Sequence, residues 1–312
     1  MGRVENSILA DKIAELKKRK RAIILAHYYT AGEVQAVADF VGDSLALSQK
    51  AATVDADIIL FAGVRFMAET AKVLSPDKKV LLPVVEAGCS LADSCNAEEL
   101  ARVKAEHPDH LVVAYVNTSV EVKALTDICC TSSNALDIVK GLPADQKILF
   151  IPDRNLGSYI NKCTGRNMKL WDGACLVHEE FSVEEIVKLK EAHPQAKVVV
   201  HPECKAEVVE LADYAGSTAG ILAYCKNSEA EEFIVTTESG ILYEMERTLP
   251  NKKFYPVPHK GCEGCISCLD MKKVTLENIY ETLLNESPEV VIDEEIREKA
   301  EGAIVRMLDL SK

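Results

Sequence analysis

One pattern of apolar and polar positions is written three times along this 312-residue chain. A short, nearly continuous apolar run over residues 22–29 ends in the polar pair His27 and Tyr29. The same run returns over 111–117, ending in Tyr115 and Asn117, and over 197–203, ending in His201 and Glu203. His27, Tyr115 and His201 are 88 and then 86 residues apart. Six residues beyond each stands Glu33, Glu121 or Glu207; twelve beyond, Asp39, Asp127 or Asp213; seventeen beyond, Ser44, Ser132 or Thr218. Each unit continues with a second apolar strand, at 57–63, 147–152 and 232–237. Helical periodicity follows over 67–74 and 240–249, with third strands at 79–83 and 253–257 and a weaker one at 167–171.

Short apolar strands alternating with helices predict parallel sheets covered on both faces, and repetition at a fixed period predicts repeated units. The expected fold class is therefore α/β: three homologous three-layer α/β/α sandwich domains with parallel sheets, arranged around a pseudo-threefold axis. Their expected boundaries are residues 1–108, completed by the C-terminal 289–312, then 109–194 and 195–288.

Composition narrows the function. With 48% apolar and 27% charged residues the chain can bury large cores. A net charge of −13 argues against nucleic acid as a partner. No apolar run approaches the ~18–20 residues a membrane span needs, so no membrane partner is expected. The first residues lack a secretory profile, which leads to the expectation of a cytoplasmic protein. The basic run from Lys17 to Arg21 ends an amphipathic stretch carrying Ile8, Ile13 and Leu16, where it reads as a solvated helix end. Eleven cysteines in a reducing compartment are not expected to form disulfides, and Cys129, Cys130, Cys163, Cys204 and Cys225 read as buried, inert thiols.

Five of the other six cysteines bear on chemistry. Cys262, Cys265 and Cys268 look by themselves like a local three-thiol loop. The repeat says otherwise. Cys89 and Cys175 are 86 residues apart, and seven and nine residues after each come a helix N-cap (Asn96, Ser182) and a first-turn glutamate (Glu98, Glu184). A helix-ending proline, Pro108 or Pro194, follows nineteen residues after each. In the third unit Thr275 and Glu277 keep these offsets only from Cys268. Cys89, Cys175 and Cys268 are thus equivalent, and Cys262 and Cys265 are left as a redox pair, spare ligands or a structural pair.

Parallel α/β units bind ligands beyond the carboxyl ends of their strands. A threefold axis would gather there His27, Tyr29, Tyr115, Asn117, His201 and Glu203. It would also gather Ser44, Ser132 and Thr218, at helix starts or nearby turns, and the three cysteines. Three thiolates suit an iron–sulfur cluster with one iron free of protein ligands, or a zinc with an open position. His178 and His259 are left between a supporting role and the surface.

The chain resembles the quinolinate synthase family over essentially its whole length. The resemblance rests on Ile24-Leu-Ala-His27-Tyr-Tyr29, Ala38-Asp-Phe-Val-Gly-Asp-Ser44, Tyr115-Val-Asn117, Cys130-Thr-Ser132, Pro152-Asp-Arg-Asn-Leu-Gly157, Val200-His-Pro-Glu203, Gly216-Ser-Thr218 and Met271-Lys-Lys-Val-Thr-Leu-Glu-Asn278. It implies a transferase of NAD biosynthesis from aspartate that condenses iminosuccinate (iminoaspartate) with dihydroxyacetone phosphate to quinolinate, releasing phosphate and water. It further implies a [4Fe-4S] cluster on Cys89, Cys175 and Cys268 with one open iron. Substrate contacts carry over to His27, Ser44, Tyr115, Asn117, Ser132, His201, Glu203 and Thr218. The expected catalytic set is Tyr29, His27, Tyr115, His201 and Glu203. Functional coupling to L-aspartate oxidase is a further expectation. The three-cysteine loop near the end marks a variant of the family, and Tyr28 stands where asparagine is common.

Overall fold

The computed structural model describes residues 3–259, 264 and 266–311. Its frame is three four-stranded, wholly parallel sheets. The first contains β1 (Ala22–His27), β2 (Phe40–Gly42), β3 (Ile58–Ala62) and β4 (Lys79–Leu81). The second contains β5 (Leu111–Tyr115), β6 (Ile128–Cys130), β7 (Ile148–Ile151) and β8 (Lys169–Leu170). The third contains β9 (Lys197–Val200), β10 (Tyr214–Ala215), β11 (Glu232–Thr236) and β12 (Lys253–Pro256). The strand order is the same in each: β2-β1-β3-β4, β6-β5-β7-β8 and β10-β9-β11-β12. The α/β architecture expected from the pattern is the one observed.

The edge strands β2, β6 and β10 add what hydrophobic patterning did not predict. They are two or three residues long, too short for a periodic signal. The repeated aspartates pin them. The carboxylates of Asp39, Asp127 and Asp213 accept the backbone N–H groups of Ile24, Val112 and Val198 at 2.8, 2.7 and 2.8 Å. Each aspartate's own N–H returns a bond to the same residue's carbonyl. The conserved offset within the chain is therefore a strand clasp.

The helices that follow the three equivalent cysteines close the molecule into a ring. Asn96, Ser182 and Thr275 cap the helices Ala97–Glu106, Val183–Ala192 and Leu276–Asn285, as their spacing predicts. Leu100 buries against the second sheet, beside Val112 and Leu149. Ile186 buries against the third, beside Val198 and Ile234. Leu276, Ile279 and Leu283 bury against the first, beside Ile24 and Leu60. Each helix thus covers the sheet that comes next, and the last returns to the beginning. Every such aliphatic side chain contributes about 1.5–3 kcal/mol on burial, which makes the closure cooperative.

The basic run takes part in this closure. Lys20 donates to the carbonyl of Leu284 (3.0 Å) and to Glu286 (2.8 Å), and Lys17 pairs with Asp39 at 2.7 Å. It is a pin between the first and last helices of the ring, where the sequence suggested only a solvated end. The C-terminal helix Glu294–Asp309 buries Ala300, Ala303, Ile304 and Met307 in the core shared by the first two sheets. Before it, the chain pairs antiparallel with β4 through Leu81 and Glu289. Of the cysteines read as inert, Cys129, Cys130, Cys204 and Cys225 are buried, but Cys163 is exposed, because its helix turns that face outward. Cys262 and Cys265 lie outside the described residues. No helix among the described residues is long and apolar enough to cross a membrane.

Candidate active site

The carboxyl ends of the three sheets face one cavity. Its wall includes all twelve residues nominated from the sequence: His27, Tyr29, Ser44, Cys89, Tyr115, Asn117, Ser132, Cys175, His201, Glu203, Thr218 and Cys268. The wall carries no lysine or arginine among the described residues, and it also includes Asp43, Thr131, His178 and Glu238.

The first and third strand ends share a local device. The backbone N–H of Tyr29 donates to Nδ1 of His27 (3.1 Å), and that of Glu203 donates to Nδ1 of His201 (3.3 Å). A neutral imidazole that accepts at Nδ1 carries its proton on Nε2. Burial drives both histidines down to about 3, against the attraction of Glu203, so they stay neutral. His201 Nε2 reaches Ser132 Oγ at 3.2 Å. The two side chains are uncharged donors.

A hydrogen-bonded chain crosses the site from the first unit to the second. Tyr29 Oη bonds Thr218 Oγ1 and Thr237 Oγ1, each at 2.8 Å. Thr237 Oγ1 meets His178 Nε2 at 3.0 Å, and His178 Nδ1 meets Glu203 at 2.9 Å. Glu203 accepts from Tyr115 Oη at 2.5 Å. Burial opposes ionisation of Glu203, but His178 and the bonds it accepts from His178 and Tyr115 outweigh burial and hold its carboxyl below the usual range. Burial, reinforced by Glu203, raises both tyrosines well above theirs. The chain therefore joins one carboxylate to two phenols that hold their protons. On the same wall, Asn117 has its Oδ1 buried without a hydrogen-bond partner.

Ser44 and Thr218 open the ten-residue helices Ser44–Thr53 and Thr218–Asn227. They are not caps, because Asp43 and Ser217 take that role with bonds to Ala46 and Gly220. Ser133 ties the three units together here, donating to Asp43 (2.5 Å) and bonding Ser217 (2.8 Å).

The strand-end loops are braced from beneath. Gln35 Nε2 donates to the carbonyls of Tyr28 and Thr30, at 2.8 and 2.9 Å, around Tyr29. At the matching place in the second unit, the fully buried Lys123 donates to Val116 (2.8 Å) and Thr118, around Asn117. The third unit has Val209 at this position. Lys123→Met orphans two buried carbonyls at roughly 1–3 kcal/mol each, so it is expected to cost about 2–6 kcal/mol of unfolding free energy in a denaturant melt of the metal-free protein. An unchanged midpoint would mean that the lysine is no brace.

Cys89, Cys175 and Cys268 hold one structural place. Each precedes a four-residue helix: Ser90–Asp93, Leu176–Glu179 or Leu269–Lys272. Burial pushes the Cys89 thiol up to about 12 and raises the other two, so a metal must displace their protons. Cys89 feels Cys268, and Cys175 feels Cys89, across the cavity. Three soft donors on one wall fit an iron–sulfur group. His178, undecided from sequence, touches Cys175 Sγ at 3.2 Å as well as Glu203. His259 pairs with Glu180 at the surface.

Comparison with known proteins agrees with this geometry. Residues 11–309 match the family described as quinolinate synthetase A protein. The chain is 53% identical over 303 residues to the quinolinate synthase of Microcystis aeruginosa, covering 97% of this chain and 95% of that one. This chain belongs to the quinolinate synthase family. It is equally similar to the Nostoc quinolinate synthase, 53% identical over 299 residues, covering 96% of this chain and 92% of the relative. The Synechocystis quinolinate synthase is 52% identical over 303 residues, covering 97% and 95%. Like them, this quinolinate synthase family member is an enzyme.

Sequence reasoning missed Thr237, Glu238, Gln35 and Lys123. One signal was present: an acid stands two residues beyond the second strand in two of the three units, Asp153 and Glu238.

Proposed function

We propose that this chain condenses iminosuccinate with dihydroxyacetone phosphate to quinolinate, releasing phosphate and water, in NAD biosynthesis from aspartate. Cys89, Cys175 and Cys268 would hold a [4Fe-4S] cluster with one iron open to substrate. The observation that carries this reading is the single cavity in which three equivalent thiols face neutral donors and the Glu203 carboxylate. L-aspartate oxidase, as a source of iminosuccinate, is the expected functional partner, and the cytoplasm the expected location.

The donor set favours a cluster over a lone zinc. One tetrahedral zinc at about 2.3 Å from each sulfur needs sulfurs about 3.8 Å apart. The tight donor set in this site, with ligand atoms within 4.8 Å of one another, is Cys175, His178 and Glu203, and it omits the other two cysteines. The cluster, when bound, supplies a Lewis acid for a substrate oxygen and so assists loss of water.

The chain's own residues do the rest. Both substrates are anionic, yet the described wall has no fixed cation. Anion binding then falls to Nε2–H of His27 and His201, to the hydroxyls of Ser44, Ser132 and Thr218, and to the amides of the two helix starts. Asn117 Oδ1 accepts from an N–H or O–H of the substrate. Glu203, backed by His178, takes the proton that imine–enamine exchange and dehydration release, and Tyr115 Oη returns one. Tyr29, hydrogen-bonded to Thr218 and Thr237, does the same from the first unit.

Tyr29→Phe is expected to lower kcat about 10²-fold or more, the range of one general acid–base group, with iron content unchanged. Parallel loss of iron and turnover would make Tyr29 structural. The function itself is tested anaerobically with both substrates, measuring quinolinate and phosphate. Equal yields of the two are expected, and dehydration of a dicarboxylate without phosphate release would overturn the proposal in favour of a hydro-lyase.

A further inference from the structure

We propose that Asp153 and Glu238 are positioning residues for the metal centre, holding Cys175 and Cys268 by their backbone N–H groups while Cys89 has no such anchor. The inference rests on the reading of these three cysteines as ligands. Asp153 and Glu238 are both fully buried and occupy the same place in their units, two residues beyond the ends of β7 and β11. Asp153 Oδ2 accepts the N–H of Cys175 at 3.2 Å, and Glu238 Oε1 accepts that of Cys268 at 3.1 Å.

The backbone around these anchors is the same in all three units. The residue after each position donates to the residue two before the cysteine: Arg65 to Ala87 (2.9 Å), Arg154 to Gly173 (2.8 Å) and Ser239 to Ile266 (3.1 Å). In the first unit the anchor position is Val64, buried and with no acceptor on its side chain. Scaffold is shared; the anchor is not.

Each carboxylate uses its second oxygen on a second backbone donor. Asp153 Oδ1 takes Leu156 N–H at 2.7 Å, and Glu238 Oε2 takes Gly240 N–H at 2.6 Å. Lys272 Nζ, 2.9 Å from Glu238 and hydrogen-bonded to the carbonyl of Tyr29, ties the third-unit anchor to the active-site loop. The arrangement is specific to a carboxylate. An amide of the same shape must turn its NH₂ toward one of the two N–H groups and loses that bond. Partners that orient metal ligands in this way typically change metal retention 10–100-fold when removed, on the order of the effect sought here.

The test compares anaerobically prepared wild type, Asp153→Asn and Glu238→Gln for the rate of iron loss to a ferrous chelator and for the electron paramagnetic resonance spectrum of the reduced protein. Ile186→Ala, a truncation in the third unit's core away from the cavity, supplies a destabilised comparison. Iron loss about tenfold faster in both amide variants, with altered spectra, is expected; Ile186→Ala should keep the wild-type spectrum and rate. If one amide variant does not fold, the other carries the test at its own cysteine. Wild-type rates and spectra in the amide variants, or iron loss that merely follows melting temperature across all three, would overturn the proposal. Wild-type protein that holds no iron–sulfur group would overturn the ligand reading as well, so the two failures are told apart.

Discussion

Glu203→Gln is expected to lower kcat by about 10²–10⁴, the span of general acid–base catalysis, while iron and sulfide per chain stay at the wild-type level. The carboxylate is the buried charge between Tyr115 and His178, with bonds of 2.5 and 2.9 Å. Glutamine keeps the shape but must face one of these donors with its NH₂, and it cannot take a proton. Because the carboxyl is held below its ordinary range, it would meet the substrate as the carboxylate at neutral pH. Tyr115→Phe removes the other half of the same bond. The double variant should therefore lose little more than Glu203→Gln alone, since contacting residues act as one unit. Steady-state kinetics of the two single variants and the double, with iron counts on each, check this. Additive losses would mean that Tyr115 and Glu203 act at separate steps.

The repeat made much of the molecule legible before any coordinates. Central strands such as β3 are apolar and buried at every position, so they stand out in the sequence. Offsets between units then aligned Cys268, rather than Cys262 or Cys265, with Cys89 and Cys175. What all three units share was readable, and what one or two units hold was not. Gln35 and Lys123 brace two loops, but the third unit has Val209. Thr237 and His178 complete the chain from Tyr29 to Glu203 without counterparts at matching offsets.

Spatial closure was also invisible. The helix Leu276–Asn285 follows the third unit in sequence yet buries Leu276, Ile279 and Leu283 on the first sheet. A linear pattern records that a face is apolar, not which sheet receives it. Ser44 and Thr218 illustrate the limit at single residues. Their types suit caps, but the caps are Asp43 and Ser217, one residue earlier, and this leaves Ser44 and Thr218 free to face the cavity.

The central claim is that three repeats meet to supply one thiol each. Loss of any one should release the iron–sulfur group, because each thiol comes from a different unit and no other cysteine lies on the described cavity wall. Cys262 and Cys265 fall outside the offsets that define the set. The direct measurement is iron and sulfide per chain in anaerobically purified Cys262→Ser and Cys268→Ser. The account predicts about four of each in Cys262→Ser and almost none in Cys268→Ser, as for a [4Fe-4S] group held by three ligands. A cluster kept by Cys268→Ser and lost by Cys262→Ser would contradict it.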